Sequence, residues 1–221
     1  MTTQRKNKKN TEKKGSPFEN RDLTAQLLFP TISWSSINSF TEYDKDLWYD
    51  SYVLGNRTAP NPQMEVGIRL GERWATDPTY LPEVERPEIF EQNLTATIDS
   101  ITLTGHLDGL HLTKKKKLQE LKTTSSKTKW TTKSVREWGQ ITCYAYLIYK
   151  NYGIRPEDLE MELIYIPVAP SGDFTYEQSG PPVIIPTERN MLDLLRFGKF
   201  IKDTHKEMTL FVKQKQDDNS R

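Results

Sequence analysis

The sequence predicts a mixed α/β fold, and three features indicate it. Three segments repeat apolar residues at helical spacing and carry residues at their ends that start or stop helices. Residues 94–123 are rich in Thr, Ile and Leu with partial alternation, which is typical of strands. The chain has 221 residues, of which 35% are hydrophobic, so it can bury one core. We expect one domain over residues 26–208, with tails over 1–25 and 209–221.

The first predicted helix lies in "SWSSINSFTEYDKDLWYDSYVLG". Serines that can cap a helix stand at its start. Apolar residues recur at Ile37, Phe40, Leu47 and Trp48, and Gly55 follows them. This pattern predicts an amphipathic helix whose aromatic residues pack in the core.

The middle of the chain is predicted to form a strand meander. Gly105, Gly109 and the lysine block Lys114–Lys117 interrupt the Thr-rich segment, and the lysine block is predicted to form a turn. Further along, "LEMELIYIP" alternates apolar residues with Glu160 and Glu162. This alternation predicts a strand with one solvated or site-facing side.

Two more helices are predicted in the second half of the chain. "SVREWGQITCYAYLIYKNYG" spaces apolar residues at helical intervals and ends at Gly153, a typical left-handed cap residue. "TERNMLDLLRFGKFIKDTHKEM" begins with a threonine that can cap a helix. Its inward-facing residues are predicted to be Met191, Leu194, Leu195 and Ile201.

The composition excludes several classes of protein. Lys and Arg (31) nearly balance Asp and Glu (30), so any nucleic-acid surface must come from uneven placement of charge. The single cysteine, Cys143, cannot form an intramolecular disulfide or supply the thiolates of an iron–sulfur cluster. No apolar stretch approaches a bilayer span and no secretory signal is visible, so we expect a cytoplasmic protein without a membrane anchor. The sequence has no G-x-x-x-x-G-K-[ST] phosphate loop, so ATP is not an expected cofactor.

Both ends of the chain are predicted to be tails. Residues 1–25 contain few apolar residues and a cluster of Lys and Arg, which predicts disorder. Such a tail is either only solvated or adds salt-sensitive contacts to phosphates. Residues 209–221 are polar and are predicted to form a second tail.

Asp108, Glu120 and Lys122 form the main candidate site. Side chains alternate across a strand, so Glu120 and Lys122 share one face, and Asp108 lies on the preceding strand. Two carboxylates on neighbouring strands repel by roughly 1–4 kcal/mol at 4 Å, and a divalent cation would reverse that cost. Oxygen ligands favour Mg²⁺ or Mn²⁺, and the lysine could orient or help deprotonate water that attacks a phosphodiester. The alternative is a charged, solvated strand face.

Five short motifs follow one another along the chain: the first helix segment, "VGIRLGERW", "GHLD", "ELK" and "QITCY". In this order they resemble the RecB-like branch of the PD-(D/E)XK nuclease superfamily, over about residues 32–165. The resemblance implies a restriction-endonuclease-like core in which α-helices flank a small mixed β-sheet. It also implies a Mg²⁺-dependent DNA nuclease, in particular an exonuclease, that works in recombination, repair or phage DNA metabolism.

The resemblance also implies roles for individual residues of the candidate site. Asp108 and Glu120 would bind the metal, and the Leu121 carbonyl would be a further ligand. Lys122 would be the catalytic lysine. Mn²⁺ would be able to substitute for Mg²⁺.

Two further positions match the family pattern and two depart from it. Gln140 and Tyr144 match its Gln-x-x-x-Tyr motif and share a helix face, which either looks into the site or is only a polar edge. The usual histidine falls on Gly71, which cannot ligate a metal, so Glu72 beside it is either a third carboxylate or an exposed helix residue. Tyr43 stands where relatives with iron–sulfur clusters have a cysteine, which favours the cluster-free members.

The segment after "ELK" carries candidate DNA contacts. Lys127, Lys129 and Lys133 could bind the phosphate backbone, and Trp130 could stack on a base of single-stranded DNA. The alternatives are a hydrated surface for the lysines and a core position for the tryptophan. DNA is the expected partner, and a second copy of the chain or a recombination or replication protein is a further candidate. Two other functions stay open: a weakly cutting DNA- or partner-binding module, which the missing histidine favours, and an RNA-directed or structure-specific endonuclease.

Overall fold

The structure, a computed structural model, describes residues 31–56, 58–126, 128–172 and 175–219. The tail predicted over residues 1–25 lies outside this part of the chain. The strands are β1 (Thr31–Ser33), β2 (Ile89–Ile98), β3 (Ile101–His111), β4 (Lys117–Thr124), β5 (Glu160–Gly172), β6 (Thr175–Gln178) and β7 (Val183–Thr187). The helices are α1 (Trp34–Glu42), α2 (Lys45–Trp48), α3 (Pro62–Thr76), α4 (Thr132–Glu137), α5 (Gly139–Tyr152) and α6 (Met191–Asn219). A π-helical turn, Tyr49–Val53, continues α2, and a 3-10 turn spans Pro156–Asp158.

The seven strands form one mixed sheet. The order β1-β3-β4-β5-β6 runs across it, β2 pairs with β3, and β7 pairs with β5. β3 is antiparallel to β4, whereas β4 is parallel to β5 and β1 is parallel to β3. Helices pack on both faces of the sheet. The predicted α/β fold, a mixed sheet flanked by helices, is confirmed.

Two apolar layers cover opposite faces of the sheet. Leu107 and Leu118 pack on one face in the cluster that contains α1, α5 and α6. Leu121 packs on the other face in the cluster that contains Trp74 of α3. Because both faces are covered, β4 is buried on both sides, and even the polar Gln119 has no exposed surface.

Glu162, predicted on a solvated or site-facing side of β5, is buried in a polar network. Its carboxylate accepts a hydrogen bond from Gln119 Nε2 (2.8 Å) and pairs with Lys117 Nζ (2.8 Å). Gln119 also donates to the Glu85 carbonyl (3.0 Å), in the loop between α3 and β2. The loop therefore covers this part of the sheet, and the buried polar groups bind one another.

The first predicted helix is broken into two. α1 ends at Glu42, and the Asp44 side chain caps α2 by accepting from the Asp46 N–H (2.8 Å). The break changes which face of the chain looks inward. Trp48 is buried as predicted, whereas Leu47 is 65% exposed, so its predicted core position is wrong.

The last helix continues to Asn219, past residue 208, where the sequence predicts a polar tail to begin. It continues because Met208 and Val212 extend its buried stripe. Leu194 and Ile201 are buried as predicted, but Leu195 lies off the stripe and is 66% exposed. Neither α6 nor any other helix in the described part of the chain combines the length and apolar character needed to cross a bilayer.

Candidate active site

Asp108 and Glu120 lie where β3 and β4 part. The paired positions of these strands end at Gly109 and Gln119. Just beyond these positions, the Asp108 carboxylate accepts a hydrogen bond from the Leu121 N–H (2.7 Å). A side chain thus takes the place of a backbone hydrogen bond between the two strands. We call the place where β3 and β4 diverge the fork. It brings the two carboxylates close enough for the charge of Asp108 to raise the pKa of Glu120.

Glu120 is fully buried and has one unpaired oxygen. Its Oε1 accepts hydrogen bonds from Lys122 Nζ and from Gln140 Nε2 (2.6 Å). Its Oε2 has no hydrogen-bond partner among the described residues. Burial, and then the Asp108 carboxylate, raise the pKa of Glu120 to about 8, against the opposing charge of Lys122. At neutral pH this pKa leaves a proton on Glu120, and because Oε1 accepts two hydrogen bonds the proton belongs on Oε2, where a bound cation would replace it.

The groups at the fork also shift the pKa values of Asp108 and Lys122. Burial raises the pKa of Asp108, while the charge of Lys122 and the Leu121 N–H act to lower it. Burial acts to lower the pKa of Lys122, but the Glu120 and Asp108 carboxylates outweigh it and raise that pKa. Lys122 therefore stays protonated at neutral pH.

Gln140 connects α5 to the carboxylate pair. Besides its bond to Glu120, Gln140 Nε2 lies 2.8 Å from Tyr144 Oη, one helical turn along α5. Burial raises the pKa of the Tyr144 phenol. The helix face that carries these residues thus looks into the candidate site, which brings together Asp108, Glu120, Lys122, Gln140 and Tyr144.

Two cavities meet at Lys122, on either side of the fork. The first, of about 830 Å³, lies beside α3 and is lined by Gly67, Gly71, Glu72, Glu91, Asp108, Leu121 and Lys122, among others. We call it the α3-side cavity. The second, of about 940 Å³, lies beside α1 and α5 and is lined by Lys122, Lys129, Trp130, Trp138, Gln140 and Tyr144, among others. We call it the α5-side cavity.

Besides Asp108, the α3-side cavity holds one other predicted carboxylate, Glu72, and one that the sequence did not indicate, Glu91. Glu72 is exposed on its wall. Glu91 of β2 faces Asp108, because the flanking residues of β2 pair with those around Asp108 in β3. It adopts a left-handed backbone (φ 53°), and its carboxylate contacts His106 Nε2. Only the strand register reveals this position, so no sequence motif could have found it.

No three His, Cys, Asp or Glu side chains in the described ranges lie together as a ready metal site. The potential oxygen ligands are therefore the Asp108 and Glu120 carboxylates, with the carbonyl of Leu121, the residue after Glu120 in β4. Glu72 lies on the cavity wall without a contact to either carboxylate among the described bonds.

The predicted DNA contacts separate into three groups. Trp130 packs against Trp138, with ring centroids 4.7 Å apart, and Lys129 Nζ lies 5.2 Å from the Trp130 ring centre. Lys133 is exposed on α4 and lies 4.0 Å from Glu137. Lys127 lies outside the described residues. The structure thus places Lys129 and Trp130 on the α5-side cavity and Lys133 on the neighbouring surface.

Arg189, which the sequence did not single out, holds the joint between α4 and α5. It is 2% exposed. Its guanidinium donates to the carbonyls of Val135 and Trp138 (both 3.0 Å) and to Thr142 Oγ1 (2.7 Å). Burial, and then the nearby charge of Arg136, lower the pKa of Arg189 to about 10. Arg189 thereby fixes the backbone that carries Trp138 and Gln140.

Solved structures of two proteins described as exonucleases are similar to this fold. A "Putative exonuclease" from Eubacterium rectale aligns with a TM-score of 0.56 and 13% identity, over 88% of this chain and 86% of that chain. A phage related exonuclease from Haemophilus somnus 129PT aligns with a TM-score of 0.51 and 10% identity, over 75% and 79%. No family model matches the chain, and no curated protein matches it. These similarities establish a shared fold.

Proposed function

We propose that the chain is a Mg²⁺-dependent DNA nuclease, an exonuclease of the RecB-like branch of the PD-(D/E)XK superfamily. The carboxylate pair at the fork of β3 and β4 carries the proposal, because Glu120 keeps an unpaired buried oxygen beside Lys122. The fold shared with two proteins described as exonucleases supports it. The proposed context is recombination, repair or phage DNA metabolism, without ATP or an iron–sulfur cluster.

The donors at the fork fit a hard divalent cation. Asp108, Glu120 and the Leu121 carbonyl offer only oxygen, which Mg²⁺ prefers and Mn²⁺ accepts. A cation there would meet the unpaired Glu120 Oε2 and remove the repulsion between the two carboxylates. When bound, Mg²⁺ polarises the phosphate and lowers the pKa of the attacking water. Glu72 is the proposed additional carboxylate.

Lys122 acts as a cationic hydrogen-bond donor in this proposal. Lys122 orients the attacking water and stabilises negative charge that develops on the phosphate. Gln140 holds the Glu120 carboxylate by a direct hydrogen bond, and Tyr144 contacts Gln140 in turn. These two residues of α5 thereby fix the direction in which Glu120 points.

DNA is the proposed substrate, with contacts from Lys127, Lys129, Trp130 and Lys133. The lysines would bind backbone phosphates and the tryptophan would stack on a base. The second candidate function is a DNA-binding module that cuts poorly. It is favoured by Gly71 in place of a histidine and by the lack of a three-ligand cluster in the described residues.

A digest of labelled linear and circular DNA tests the proposal. Each DNA is incubated in single- and double-stranded form with Mg²⁺, Mn²⁺ or EDTA. An exonuclease degrades linear DNA only with metal and spares covalently closed circles. Asp108→Asn and Lys122→Met should each slow cleavage at least about a hundredfold. A wild-type protein that binds DNA but leaves every substrate intact would support the binding module instead.

A further inference from the structure

The buried guanidinium of Arg189 uses all of its N–H donors inside the protein. Besides the three contacts described above, its Nη1 donates to Thr187 Oγ1 (2.9 Å) and to the Glu188 carbonyl (2.6 Å). Each N–H of the planar fork therefore has its own acceptor, and all the acceptors are neutral hydroxyl or carbonyl oxygens. A lysine carries its donors at a single point and cannot bind acceptors that are spread in this way. The position therefore requires an arginine.

Two of these acceptors flank Gln140 in the chain. The Trp138 carbonyl lies just before Gln140, and the Thr142 hydroxyl lies in the same first turn of α5. α5 begins at Gly139 without a side-chain cap, so the first N–H groups of the helix lack the acceptor that usually holds such an end in place. Arg189 instead holds this turn from both sides of Gln140.

Trp34 of α1 packs against the same turn. A Cβ at Gly139 would clash with the indole ring of Trp34, so only glycine lets the backbone approach the ring this closely. Phe197 and Phe200 of α6 pack against that indole, with ring centroids 6.2 and 6.5 Å from it. The start of α5 is thus packed against an aromatic cluster in addition to being bonded to Arg189, which leaves it little room to move.

The carboxamide of Gln140 carries this constraint to the fork. Its Nε2 donates to Oε1 of the fully buried Glu120 (2.6 Å). A hydrogen bond of this length is lost when one partner moves by about 1 Å. A misplacement of that size in an active site can slow a reaction about a hundredfold. A small shift of the first turn of α5 is therefore enough to release the Glu120 carboxylate.

We propose that Arg189 is a positioning residue of the active site, and that it acts on Glu120 through Gln140. It fixes the first turn of α5, so that the Gln140 carboxamide holds the Glu120 carboxylate in the direction that a metal ion requires. This inference rests on the proposed function, because it takes Glu120 as a metal ligand. The alternative is that Arg189 only caps the end of α4 by binding the Val135 carbonyl.

A double-mutant cycle separates these two roles. Mn²⁺ binding to the full chain is measured without DNA for the wild type, Arg189→Lys, Gln140→Ala and the double variant. Each single substitution should weaken Mn²⁺ binding about tenfold, the lower end of the range for groups that orient a metal ligand. The double variant should bind Mn²⁺ within about twofold of Gln140→Ala, because the effect of Arg189 passes through Gln140. Single-turnover cleavage of linear DNA by the same proteins should follow the same pattern.

Two further variants control for the stability of the fold. Met208→Ala removes a buried side chain of α6 that lines neither cavity, so it should lower the urea midpoint and leave Mn²⁺ binding unchanged. Thr142→Val removes one acceptor of Arg189 and takes the place of Arg189→Lys in the cycle if that variant does not fold. Thermal unfolding of each variant shows which of them fold.

The outcomes distinguish this inference from the proposed function. Additive effects in the cycle would overturn the inference, because Arg189 would then act independently of Gln140. Folded Arg189→Lys protein with the Mn²⁺ affinity of the wild type would also overturn it, as would an equal loss of affinity in Met208→Ala. A wild type that cuts DNA while the cycle is additive refutes this inference alone. A coupled cycle in a protein that cuts no DNA with either metal refutes the nuclease function alone.

Discussion

Glu120→Gln should change how the stability of the metal-free protein depends on pH. The folded protein holds a proton on Glu120 up to about pH 8, whereas an unfolded glutamate loses it near its ordinary value of 4.5. Because the folded pKa is raised, the stability linked to this proton is present at low pH and is lost as pH rises between these two values. Glutamine carries no such proton, so the variant does not show this loss.

The expected magnitude follows from the two pKa values. With a folded pKa of about 8 and an unfolded value of 4.5, the easier ionisation of Glu120 in the unfolded chain lowers the stability of the fold by about 2.0 kcal/mol at pH 6 and about 4.7 kcal/mol at pH 9. The wild type should therefore lose about 2.7 kcal/mol more than Glu120→Gln over this range. The substitution keeps the shape of the side chain and an oxygen that accepts from Lys122 and Gln140.

Urea denaturation in EDTA at pH 6, 7, 8 and 9 measures this difference. Subtracting the free energies of unfolding of the two proteins at each pH removes the contribution of the groups they share. A gap that opens with pH in favour of Glu120→Gln agrees with the reasoning. Parallel profiles would refute it, because they would mean that Glu120 ionises as easily when folded as when unfolded.

Three further predictions concern metal binding and packing. At pH 7, Mg²⁺ or Mn²⁺ should displace close to one proton from Glu120, measured by calorimetry in two buffers of different ionisation enthalpy; no buffer dependence would contradict this. Gly105→Ala should lower the free energy of unfolding by about 1–3 kcal/mol, because its Cβ would lie 2.5 Å from a side-chain atom of α5. Gly71→Ala is the matched control: its Cβ meets nothing within 4 Å, so urea denaturation should show a gain of about 0.5–1 kcal/mol from helix propensity. Arg189→Lys should lower the free energy of unfolding by about 2–4 kcal/mol, because lysine loses several hydrogen bonds of roughly 1 kcal/mol each, including the one to the Trp138 carbonyl. An unchanged urea midpoint would refute this.

The sequence predicted the parts of the site that depend on local patterns. Alternation along one strand is enough to place Glu120 and Lys122 on the same face, and the fork then brings Asp108 to them. Helical spacing likewise placed Gln140 and Tyr144 on one face of α5. These relations hold within a single element or between neighbouring strands.

The parts that the sequence did not reveal depend on contacts between distant elements. Glu91 reaches Asp108 only through the register of β2 against β3, and Arg189 reaches α4 and α5 from the segment between β7 and α6. Leu47 was predicted in the core from its helical spacing, but the side-chain cap at Asp44 starts a new helix and breaks that spacing. Gln119 is buried because a distant loop covers its face of the sheet.

The role of Lys122 at the fork is the central claim, and single-turnover cleavage by Lys122→Met tests it most directly. An end-labelled oligonucleotide is mixed with excess wild-type or variant protein in Mg²⁺, and Mn²⁺ binding by each protein is measured in parallel. The account predicts that the variant still binds Mn²⁺ but cleaves at least about a hundredfold more slowly, because the carboxylates remain and the charge stabilisation is lost. Cleavage by the variant at the wild-type rate would contradict the account.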